Sequence, residues 1–138
     1  IREELGGTYS ISVSGGGQKI PLPEYQVAIQ FGSDPVRTDA LVKRVFEEID
    51  KFKANGPTEK QLNDEKEALQ RDFETSSKQN AFLLTNISAK YQFGEDVAGL
   101  WDVPELYKKL DAATIQQAAK DYLNTDNFVK VALFPERK

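Results

Sequence analysis

The chain has 138 residues, of which 39% are hydrophobic and 29% charged, and a formal net charge of -4. That length suits one domain, residues 1–138, with a core able to hide roughly two-thirds of the surface that the unfolded chain exposes. The acidic balance weighs against nucleic acid, whose binding rests on Lys and Arg neutralising phosphates. No run approaches the ~20 apolar residues that a membrane span requires.

The chain opens Ile1-Arg-Glu-Glu-Leu-Gly-Gly-Thr-Tyr-Ser10. Arg2 reads as the end of a helix and Tyr9 as the opening of a strand, with a Leu-Gly-Gly break between them. Residues 8–14 then alternate: Tyr9, Ile11 and Val13 fall on one face, and Thr8, Ser10, Ser12 and Ser14 on the other. Period two predicts a strand with one wet face. Residues 25–31 repeat it with Tyr25, Val27, Ile29 and Phe31. The glycine-rich stretch from Gly15 to Pro23 is too long for a tight turn and predicts an antiparallel pair joined by a flexible loop.

A helix is predicted from about Val36 to Ala54, because Leu41, Val42, Val45, Phe46, Ile49 and Phe52 recur three and four apart. Asn55-Gly56-Pro57 stops it. Thr58 with Gln61 gives a capping box for a second, highly charged helix whose inward side is Leu62, Leu69 and Phe73, with Ala68 beside them. Ser76-Ser77 marks a break. A more apolar helix, about Gln79 to Phe93, buries Phe82, Leu83, Ile87 and Tyr91 and ends at Gly94. Pro104 suits the first position of a short helix. Asp111 caps the next one, which buries Ile115, Ala118, Ala119, Tyr122 and Leu123. Residues 128–134, Phe-Val-Lys-Val-Ala-Leu-Phe, are predicted as a last strand closed by Pro135. Three strands with the helices segregated to one face make an α+β fold with an antiparallel sheet.

Chemistry is narrowed by what is missing. Neither His nor Cys occurs in the sequence. Ser/His/Asp and Cys/His machinery is therefore ruled out, as is a zinc centre of the usual kind and any disulfide framework. The Gly15–Gly17 run lacks the spacing of a phosphate loop, and no helix follows it. Asp64, Glu65 and Glu67 stand among Lys60, Lys66 and Arg71 at helical spacing, the pattern of a solvated face. Trp101 is expected to pack under the connection around it, with ligand stacking as the alternative. Arg2 and Tyr9 carry two readings. Arg at a helix C-terminus suits the dipole and Tyr at a strand start simply packs; equally, a guanidinium and a phenol held this way converge on one ligand oxygen.

Arg2-Glu-Glu-Leu-Gly-Gly-Thr-Tyr9 resembles a signature of the pitrilysin/insulinase family of zinc metallopeptidases. Gly56-Pro-Thr-Glu-Lys-Gln-Leu62, the segment from Asp111 to Leu123, and Val131-Ala-Leu-Phe-Pro135 resemble later elements of that family in the same order. These enzymes are clamshells of repeated α+β domains. The family's inverted His-x-x-Glu-His zinc motif is absent here, which matches its inactive carboxy-terminal domain. The resemblance implies that residues 1–138 are the carboxy-terminal, substrate-binding part of a larger zinc metalloendopeptidase, lacking that domain's first strand and helix. It also implies that Arg2 and Tyr9 contact a peptide substrate. Zinc would be held in the parent by another domain or subunit of the same family, and no metal or cofactor in this chain. The alternative is a non-catalytic scaffold or peptide-binding subunit that partners an active homologue. The start at Ile1 rather than Met fits part of a longer chain, and the acidic, Cys-free composition suits a bacterial periplasm or cytoplasm.

Overall fold

The computed structural model describes residues 8–135. In order these form β1 (Thr8–Gln18), β2 (Glu24–Ser33), a 3-10 turn (Pro35–Arg37), α1 (Thr38–Asn55), α2 (Glu59–Ser76), α3 (Asn80–Phe93), a second 3-10 turn (Ala98–Asp102), α4 (Val103–Lys109) and α5 (Ala112–Tyr122). The fold is α+β, as the periodicities imply. Its described residues form two compact units: one from residues 8–54 and 118–135, the other Asn55–Gln117.

In the first unit β1 and β2 pair antiparallel, with Ile11 opposite Phe31, Val13 opposite Ile29, Gly15 opposite Val27 and Gly17 opposite Tyr25. Side chains that face each other across a ladder share a face. The apolar side of the ribbon is therefore Ile11, Val13, Tyr25, Val27, Ile29 and Phe31. The glycines expected in a loop lie instead in the strand, and the connection shrinks to residues 19–23. The polar Gln18 explains part of this, since its amide bonds Glu24 across the end of the ladder at 2.6 Å. The strand-to-helix corner is fixed by Asp34, whose carboxylate accepts from the Val36 N–H at 2.9 Å, and by the Ser33 and Thr38 hydroxyls, also 2.9 Å apart. Leu41 on α1 is 1% exposed and is the largest fully buried side chain described. One and two turns further along α1 the helix carries ion pairs, with Arg44 reaching Glu48 at 2.9 Å and Glu47 at 3.3 Å.

The predicted strand over 128–134 does not form among the described residues. A strand is defined by its ladder, and β1 and β2 pair only with each other there. Side chains anchor the segment instead. Phe128 packs edge-on against Phe46 with ring centroids 4.9 Å apart, and Lys130 reaches Asp39 at 2.6 Å. Val129, Val131 and Leu133 alternate with those anchors and are exposed, Leu133 by 95%.

In the second unit the helix limits follow local chemistry. Thr58 accepts from the Gln61 N–H at 3.2 Å while the Gln61 side chain accepts from the Thr58 N–H at 2.9 Å, the expected capping box. Gly94 ends α3 in the left-handed conformation at φ 67°, and Asp111 accepts from the Thr114 N–H at 2.7 Å at the start of α5. Leu100, in the second 3-10 turn, is the buried apolar residue of this unit. Five residues expected to face the core are exposed: Ala68, Tyr91 and Trp101 in this unit, and Ala118 and Tyr122 in the first. Each aromatic keeps a polar edge toward water, which a half-buried helix face permits.

Candidate functional site

Of the two residues selected from the sequence, Arg2 lies outside the described residues. Tyr9 belongs to β1, and its side chain lies outside them as well. The backbone around it is informative. Thr8 pairs with Ser33 and Ile11 with Phe31, so the register shifts by an irregularity between Thr8 and Ile11. Three steps along β1 correspond to two along β2, the count of a β-bulge, a device that recurs beside functional sites. Further along the ribbon Tyr25 packs edge-on against Tyr122, centroids 4.9 Å apart at 85°, and its hydroxyl donates to the Asp121 carbonyl at 3.4 Å.

A groove of about 220 Å³ lies within the second unit. Phe73 on α2 and Phe82 on α3 form its aromatic wall, meeting edge-on at 5.9 Å and 88°. Trp101 meets the same Phe73 ring edge-on, with centroids 6.2 Å apart. Buried Leu100 lines it, together with Tyr107 of α4. Its polar groups include Asp72, exposed, and Asn86. The Asn86 amide N–H donates to the Phe82 carbonyl at 2.8 Å, which leaves its own carbonyl oxygen as an acceptor. One signal for this place is present in the sequence, the alternative reading of Trp101; the convergence of three helices on it has no local signature.

Two carboxylates are held below their ordinary range, and both causes are structural. The Lys108 ammonium, 2.7 Å away, does this to Glu105 through its hydrogen bond and charge. At Asp111 the Thr114 backbone N–H does it first, followed by the Thr114 hydroxyl. The Asp64–Glu67 run behaves as a solvated face: Glu67 pairs with Arg71 at 3.0 Å with both side chains largely exposed. The chain's donors do not fit a zinc centre. It has no His or Cys, and among the described residues no three Asp or Glu cluster closely enough to hold an ion. Among them, too, no helix is long and apolar enough to cross a membrane.

Residues 1–69 match the family described as the Peptidase M16 inactive domain, half of the chain. The chain belongs to that family. It is thus a pitrilysin-like, non-catalytic domain of a metallopeptidase family, as its opening signature suggests. The match includes both Arg2 and Tyr9. Among solved structures, the periplasmic protease PqqL from Escherichia coli superposes with a TM-score of 0.71 at 26% identity over 89% of this chain. A protease from Helicobacter pylori superposes with a TM-score of 0.68 at 17% identity over 82%, a likeness of fold. The M16 domain here spans only 14% and 27% of those two chains. No curated protein sequence matches it.

Proposed function

We propose that this M16 domain is the substrate-binding, carboxy-terminal part of a zinc-dependent metalloendopeptidase, in which Arg2 and Tyr9 contact the peptide beside a zinc ion held by another domain or subunit. The family match across residues 1–69 carries this reading, because it encloses the Arg2–Tyr9 signature. The bulge between Thr8 and Ile11 supports it, since Tyr9 stands within that irregularity of β1. Arg2 supplies a permanent cation and a planar fork of donors, suited to a peptide carbonyl or to the oxyanion that develops from it. Tyr9 adds one hydroxyl donor to the same region. Nothing in the donor set of this chain replaces the metal, so the domain alone binds and orients without cleaving.

The experiment is to introduce Arg2→Ala and Tyr9→Phe separately into the full-length polypeptide and measure kcat/KM on a peptide. Loss of a donor to a developing oxyanion lowers it by about a hundredfold or more. Unchanged hydrolysis by both variants overturns the assigned role. Full-length protein with no peptidase activity until an active homologue is added identifies the scaffold or peptide-binding subunit instead.

A further inference from the structure

We propose that the groove between α2, α3 and α4 is a binding site for one organic cation on an apolar stem, an alkylguanidinium or alkylammonium group. Charge comes first. Asp72 is the acidic residue among those that line the groove, and no Lys or Arg joins it there. Among the described residues Asp72 has no ion-pair partner, while two lysines on the neighbouring helices, Lys66 and Lys108, are engaged elsewhere. Lys66 donates to the Lys108 carbonyl at 3.1 Å and Lys108 pairs with Glu105 at 2.7 Å. The groove is therefore acceptor-rich: a free carboxylate, the Asn86 carbonyl and the Ser76 and Tyr107 hydroxyls. An anion finds nothing there to neutralise it.

The walls select the rest of the ligand. Phe73, Phe82 and Tyr107 offer π surfaces, against which a cation gains about 0.5–1 kcal/mol at an exposed site and more when desolvated. Leu100, only 4% exposed, gives the stem an apolar surface. The volume of about 220 Å³ is below the roughly 300–1,000 Å³ of pockets that take drug-sized molecules, so it admits one side-chain-sized group. Guanidinium suits this combination better than ammonium, because its plane stacks on aromatic rings while its edge forks onto a carboxylate. The inference rests on these residues alone and not on the role proposed for Arg2 and Tyr9.

The test is calorimetry on the full-length protein with three probes: agmatine, a capped Ala-Arg-Ala peptide, and the same peptide with neutral citrulline in place of arginine. Saturable binding of an arginine-type cation about tenfold tighter than citrulline is expected, the ratio that one charge-assisted hydrogen bond supplies. Asp72→Asn lowers that affinity about tenfold and, being an exposed isostere, leaves folding unchanged. Binding of the peptide alone assigns the site to a bound chain's side chain; binding of agmatine as well assigns it to free amines. Equal affinity for arginine and citrulline, no saturable binding, or an unchanged affinity in Asp72→Asn overturns the proposal.

Discussion

Leu41 and Leu133 permit the same chemical deletion at opposite extremes of burial within one unit, at 1% and 95% exposure. Leu41→Ala removes most of a buried side chain from α1 and leaves a cavity, at a cost of about 2–5 kcal/mol. Whole domains are stable by about 5–15 kcal/mol, so this is a large fraction of the total. The buried apolar residues described are only Leu41, Leu100 and Ala119, which puts the total at the lower end of that range. With a urea slope of about 1–3 kcal/mol per molar, the Leu41→Ala midpoint falls by about 1 M or more. Leu133→Ala removes the same atoms from water-exposed chain and costs no more than about 0.5 kcal/mol. The assay is urea unfolding of the 138-residue chain followed by far-UV circular dichroism. Equal midpoint shifts for the two variants would refute the reasoning, for they would mean that residues 128–134 are covered in solution.

Two further outcomes follow from caps and turns. Gly56 and Gly94 both adopt positive φ, 69° and 67°, so alanine is strained at either by about 1–2 kcal/mol. At Gly56 an added Cβ also meets the Gln116 Cβ at 3.2 Å and the Ala112 carbonyl at 3.4 Å, whereas nothing lies within 4 Å at Gly94. Gly56→Ala is therefore expected to lower Tm more than Gly94→Ala; equal shifts would show that the contact relaxes freely. Asp111 has its carboxyl held below the ordinary range by the Thr114 N–H, so it contributes stability above its unfolded value of 3.8 and loses it as pH falls through the lower folded value. Asp111→Ala should lower Tm at neutral pH, and the gap from the parent should close in acid; a gap independent of pH would remove the carboxylate from the cap.

The helices were legible in the sequence because their limits are local. Thr58 and Gln61 cap each other within one turn, Gly94 adopts a conformation that other residues avoid, and Pro104 and Asp111 mark starts by their own chemistry. The fold class followed from these and from the two alternating runs. Pairing was less legible, because a ladder depends on a partner distant in sequence. Residues 128–134 have the strand pattern but are held by Phe46 and Asp39 on α1. Conversely, Gly15–Gly17 resemble a loop yet extend β1, because Val27 and Tyr25 stand opposite and supply the side chains that glycine lacks. The Arg2–Tyr9 motif was visible as a string of residues, whereas the groove was not. Leu69 and Tyr107 reach it from segments 38 positions apart in sequence, and nothing in either segment announces the other.

Trp101 is the sole tryptophan, and it belongs to the second unit, where it rests on Phe73. Its indole is thus an optical label that the protein already carries, confined to Asn55–Gln117. Far-UV dichroism reports backbone from both units, while indole emission reports one. In a denaturant titration the two signals coincide if the units melt together and separate if they melt in turn. A single wild-type sample, observed in two channels, therefore counts the cooperative blocks of this chain without any substitution.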